Sequence, residues 1–139
     1  MHINLESDYA ARIVHHLAHL PLGTCLSAAE IAQQTGLSPR FTLKILGKLA
    51  AAGLAASQKG VRGGYRLAKK PAEITLRAVI EAVEGPYRFS RCIGGDYDCC
   101  SPVAACPFYD VFDEITQMVT EKLDMVDFEQ FIIHNERLP

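Results

Sequence analysis

Apolar residues fall on one helical face between residues 8 and 20. Tyr9, Ile13, Leu17 and Leu20 stand at i, i+4, i+8 and i+11, and Pro21 and Gly23 stop the run. Ser27-Ala28-Ala29-Glu30 then reads as a capping box, in which the serine oxygen accepts from the third backbone N–H and the glutamate reaches back. It opens a short helix that Gly36 closes in the left-handed region. Ser38-Pro39 supplies a cap and a first-turn proline for a further helix running to about Ala52. Phe41, Ile45, Leu46 and Leu49 form its inward side and Gly53 ends it. Two helices joined by Gly36-Leu37-Ser38 have helix-turn-helix spacing.

The pattern then changes. Leu54 to Gln58 and Tyr65-Arg66-Leu67 read as two short strands, joined by the loop Lys59-Gly60-Val61-Arg62-Gly63-Gly64. A helix-turn-helix followed at once by such a hairpin is a winged helix, so the expected fold is mainly α (α+β), with a two-stranded wing. Pro71 ends the wing, and Thr75 caps a helix with Leu76, Val79, Ile80 and Val83 inward, closed by Gly85-Pro86. Residues 86–107 read as a loop. A last long helix starts near Pro107 or Phe108. Its stripe, Val111, Ile115, Met118, Val119 and Lys122/Leu123, recurs about every 3.5 residues, as in a helix that packs on another helix. Asp127 to Gln130 caps a short terminal helix containing Phe128, Phe131 and Ile132.

Charge sharpens this picture. The net charge is −2, yet residues 31–72 contain no acid and hold eight of the fourteen Lys and Arg residues. Ten of the sixteen acids lie from Asp96 onward. A basic face joined to an acidic remainder can hold phosphates locally. Ser38, Arg40, Thr42 and Lys44 occupy the first turns of the second helix-turn-helix helix, where side chains of a recognition helix meet bases and phosphates. Arg40 suits a bidentate pair with guanine. Lys48 is placed for the backbone, and Lys59, Arg62 and Tyr65 for contact from the wing.

No apolar run approaches the ~20 residues that cross a bilayer, and the first turns carry Glu6, Asp8 and Arg12 instead of a leader's apolar stretch. The expected location is cytoplasmic, away from membranes. There the five cysteines default to thiols or metal ligands. Cys92, Cys99, Cys100 and Cys106 crowd into a fifteen-residue span, and thiolates suit iron–sulfur clusters, zinc or copper(I). Zinc is ranked below a cluster, because C-x2-C and C-x4-C knuckles are absent. Adjacent cysteines do not both face one cluster, so Cys99 or Cys100 is a bystander. Unligated thiols forming a regulatory disulfide are the alternative. Cys25 reads as a small buried hydrophobe, and His15, His16 and His19 as surface histidines. Neither a nucleophile–base pair nor a phosphate-binding glycine loop is visible, which argues against an enzyme.

These segments resemble the Rrf2 family of bacterial iron–sulfur transcriptional regulators. The resemblance rests on Asp8-Tyr9-Ala10, Ser27 to Ala32, Gly63-Gly64-Tyr65-Arg66-Leu67, Ile74-Thr75-Leu76 with Val79-Ile80, Glu84-Gly85-Pro86 and the cysteine loop. It implies a homodimer built on the long C-terminal helix and bound to a double-stranded DNA operator. It also implies a [2Fe–2S] or [4Fe–4S] cluster on Cys92, Cys100 and Cys106, with Cys99 as the alternative to Cys100. Tyr109 stands where some members have a ligating histidine. Asp8 of the partner subunit matches the position from which others draw the fourth ligand; its plain alternative role is to cap the first helix. Leu43 replaces a base-reading glutamate of a relative. The expected organisation is a DNA-binding unit over 1–85, a sensor loop over 86–107 and a dimerisation region over 108–139. Competing readings are a metal-free thiol switch or small-molecule sensor on the same fold, and a metal-carrying module whose basic face binds an acidic protein.

Overall fold

The computed structural model describes residues 3–21, 23–94 and 106–136, the last four by backbone alone. Helix α1 spans Leu5–Ala18 and begins a turn before the apolar periodicity does. Asn4 is the reason: its side chain accepts from the Ser7 N–H at 2.9 Å, satisfying one of the free first-turn donors. Asp8, expected as a possible cap, therefore lies inside the helix and pairs with Arg12 at 3.1 Å. Helix α2 (Ala28–Thr35) carries the expected capping box, with both the Ser27 and Glu30 bonds formed, and ends on Gly36 at φ 74°. Helix α3 (Pro39–Ala51) starts at Ser38, whose hydroxyl accepts from the Phe41 N–H.

Strands β1 (Ala55–Gln58) and β2 (Gly64–Leu67) pair antiparallel, with Ala55 opposite Leu67 and Gln58 opposite Gly64. The wing is fastened along β2, where Leu26 and Tyr65 exchange both backbone bonds, at 3.0 and 2.7 Å. Gly64 makes this possible. Its φ is +147°, and a Cβ there would stand 2.3 Å from the Leu26 carbonyl oxygen.

A 3-10 turn over Pro71–Glu73 leads to α4 (Leu76–Glu84), which Thr75 caps through the Ala78 N–H and Gly85 closes at φ 82°. The last helices are α5 (Tyr109–Asp124) and α6 (Glu129–Glu136). Between them the chain returns to the segment before α4: Leu76 N–H bonds to Val126 O, and Phe128 N–H to Ile74 O.

One core joins these elements. Ala10, Ile13, Val14 and Leu17 of α1 meet Ile31, Ile45, Leu46, Leu49, Leu54, Ile74, Val79 and Phe128. The result is a mainly α winged helix-turn-helix with a two-stranded wing, as the pattern predicts. No helix among the described residues is long and apolar enough to cross a membrane. Phe128 is the largest fully buried side chain and comes from beyond α5. Replacing Phe128 by Ala should cost about 3–5 kcal/mol in urea unfolding. A loss under about 1 kcal/mol would show that the C-terminal return does not belong to this core.

Candidate nucleic-acid interface and cysteine loop

The buried residues of α3 are Thr42, Ile45, Leu46 and Leu49, which fixes its rotation. Arg40, Leu43, Lys44 and Gly47 consequently share the outward side, each exposed. Two expectations exchange places here. Phe41, expected inward, is 41% exposed and packs edge-on against Tyr9 at 6.3 Å. Thr42, expected to touch DNA, is fully buried, and among the described residues its hydroxyl has no partner. The inward stripe runs i, i+3, i+4, i+7 from residue 42, so the phase of the helix outweighs the polarity of one hydroxyl. The Ser38 hydroxyl, by contrast, is engaged as the helix cap.

Of the wing residues, Lys59 and Arg62 are exposed at the tip beside a fully exposed Val61. Tyr65 is different. It sits on β2, half-buried and packed against the core. Leu43, a departure from a relative's pattern, belongs to the outward face, 54% exposed beside Arg40 and Lys44.

Glu6 is the residue that local sequence reasoning missed. Its two carboxylate oxygens accept from Lys44 Nζ at 2.7 Å and Lys48 Nζ at 2.8 Å. These lysine hydrogen bonds hold its carboxyl well below the usual range, at about 2.

In the cysteine region, the expected site is described in part. Cys92 is buried, with its sulfur 3.3 Å from Ser90 Oγ, and Cys106 is half-buried. Cys99 and Cys100 lie outside the described residues, and among those described no three metal-binding side chains converge. The two ends of the loop do meet on one ring. Phe89, three residues before Cys92, lies 5.3 Å from Phe112, and Phe108, two residues after Cys106, lies 5.9 Å from it. The Phe89 N–H also donates to the buried Thr116 hydroxyl of α5 at 3.1 Å. Two soft donors at the ends of a short span, one shielded from water, have the right chemistry for an iron–sulfur cluster.

Cys25 is half-buried, its sulfur donating to Gln58 Oε1 at 3.3 Å. His15 packs on His19 at 4.4 Å and on Phe131, and burial pushes its pKa down. His16 bonds to Gln34.

Residues 3–134 match the model of a family described as Rrf2, iron-dependent transcriptional regulator. The chain belongs to the Rrf2 family. An HTH-type transcriptional regulator of Mycobacterium tuberculosis is 33% identical over 106 residues, covering 76% of this chain and 66% of that protein. The HTH-type transcriptional regulator IscR of Aliivibrio salmonicida is 31% identical, covering 78% of this chain and 63% of the relative. The chain thus spans just under two thirds of these two relatives. Among solved structures, CymR, the global cysteine regulator of B. subtilis, superposes with a TM-score of 0.75 at 26% identity, covering 96% of this chain and 98% of that one. The family is one of transcriptional regulators, not enzymes.

The Glu6 contacts predict a pH dependence. A carboxylate whose pKa falls on folding from 4.5 to about 2 stabilises the fold fully above pH 4.5, and that contribution is lost as pH falls through about 2. The stability difference between wild type and E6Q, from urea melts at each pH, should be level above pH 5 and shrink below it. A difference independent of pH down to about 2 would refute the pairing.

Proposed function

We propose that this protein is a homodimeric, sequence-specific DNA-binding regulator, a repressor, working in the cytoplasm. The observation that carries this reading is that α3 and the wing tip both expose basic residues, Arg40 and Lys44 on one and Lys59 and Arg62 on the other, within a segment free of acids. Arg40 is assigned to guanine in the major groove and Leu43 to apolar contact, as with a thymine methyl. Gly47 lets the helix lie close to the duplex, while Lys59 and Arg62 take the wing's phosphates or minor groove. Lys44 and Lys48 serve the phosphate backbone.

Dimerisation is assigned to α5. Val111 and Met118 are 52% and 62% exposed on it, and Phe108 and Met125 extend the apolar surface at its two ends. Such a surface is costly to leave in water, and a second copy of the same helix covers it.

The loop is read as the sensor. Cys92 and Cys106, with Cys100 or Cys99, hold an iron–sulfur cluster, and Asp8 of the partner subunit is the assigned fourth ligand. When bound, such a cluster supplies reactivity toward oxidants and nitric oxide. The chain's own part is to hold Phe89 and Phe108, which flank Cys92 and Cys106 in sequence, on the Phe112 ring of α5. A change in the loop then bears on α5 and, through it, on the spacing of two recognition helices. A second reading, a metal-free thiol switch, is favoured by the likeness to CymR.

Arg40→Ala should weaken binding to duplexes selected from a random library by about 1–3 kcal/mol and relax the sequence selected. Unaltered selection would remove Arg40 from base reading. For the sensor, protein purified without oxygen should absorb in the visible and contain iron and sulfide. A colourless, iron-free sample in which mild peroxide joins one dominant cysteine pair would overturn the cluster and establish the switch.

A further inference from the structure

The acid-free segment 31–72 does meet a carboxylate, delivered from outside it. Glu6 reaches Lys44 and Lys48 across 38 and 42 residues of sequence and binds each through a different oxygen. Among the described residues, Arg40, Lys59 and Arg62 carry no ion pair, so the acid selects the two lysines of the recognition helix. The same turn of α1 is gripped from its other side. The buried Ser7 hydroxyl donates to the Glu84 carboxylate, and the Asn4 N–H lies 3.4 Å from its second oxygen. Glu84 is the last residue of α4, and the cysteine loop begins immediately after it at Gly85-Pro86.

We propose that Glu6 is a positioning residue for DNA recognition: it withholds Lys44 and Lys48 from phosphate, and Glu84 sets its reach by holding the turn that carries it. The inference rests on the DNA-binding reading above. A phosphate that takes either lysine must displace a carboxylate already seated there, so each such contact is an exchange of ion pairs with little net gain. Binding to random DNA consists almost wholly of phosphate contacts, so this loss takes the larger share of it, whereas binding to a chosen sequence keeps its base contacts. Glu6 thereby lowers the occupancy of random DNA at a given salt. Its attachment to Glu84 makes the withholding adjustable from the start of the loop.

The test is a salt series of fluorescence anisotropy on a random-sequence duplex with the full chain, its fold checked by circular dichroism. E6Q preserves shape and removes the charge. It should tighten binding at low salt and steepen the slope of log affinity against log salt by up to about 0.9 for each lysine released. E84Q touches neither lysine, and should shift the slope the same way by less. K44Q should cost less slope in the wild type than in E6Q, and its wild-type value carries the test if E6Q does not fold. A merely structural Glu6 would lower the melting temperature and leave the slope alone, which would overturn the proposal. An unchanged slope in E84Q alongside a shifted one in E6Q would remove Glu84 from it. Wild-type protein that binds no duplex at any salt would instead sink the DNA-binding reading, and the inference with it.

Discussion

The fold depends on one buried stripe. Ala10, Ile13, Val14 and Leu17 put a single face of α1 into the core shared with α2, α3, α4, the wing and α6, so one helix sets the position of these elements, and α5 is held through α4. Burial of that face is the largest favourable contribution available to a chain this small, and it leaves the polar side of α1 to be used elsewhere. Its first turn is tied by polar contacts to α3 through Glu6 and to the end of α4 through Asn4 and Ser7.

Caps and breakers explain why much of the architecture can be read locally. Ser27 with Glu30, Ser38 with Pro39, Thr75, Gly36 and Gly85 all act within four residues, and each sits where its local chemistry demands. The failures share a different cause. Phe41 and Thr42 exchanged faces because the orientation of α3 is decided by Ile45, Leu46 and Leu49 together, against which one aromatic or hydroxyl counts for little. The early start of α1 depends on Asn4, outside the apolar run that marked the helix.

The site divides the same way. Arg40, Lys59 and Arg62 were visible because a basic residue at a helix start or a glycine-flanked tip is exposed by construction. Tyr65 was not, since its side chain answers to the core and its backbone to Leu26. Glu6 has no local signature at all. Its partners are 38 and 42 residues distant, and only the packing of α1 on α3 brings them together. Charge counted along the sequence thus overstates the bare positive charge of α3 and the wing, whose least compensated part is Arg40 with the wing tip.

The aromatic seat on Phe112 has a consequence for how such a regulator can change. Phe89 and Phe108 moor both ends of the cysteine span to one ring, and Thr116 secures the first of them. Phe89, Phe108 and Phe112 lie outside the span between Cys92 and Cys106, so the sequence of that span can vary without removing them. Residues can be inserted, deleted or exchanged there while the three aromatic contacts stay as they are. A single chassis can in this way be refitted with new instruments over evolutionary time, or at the bench by grafting the span between Cys92 and Cys106 from one relative into another.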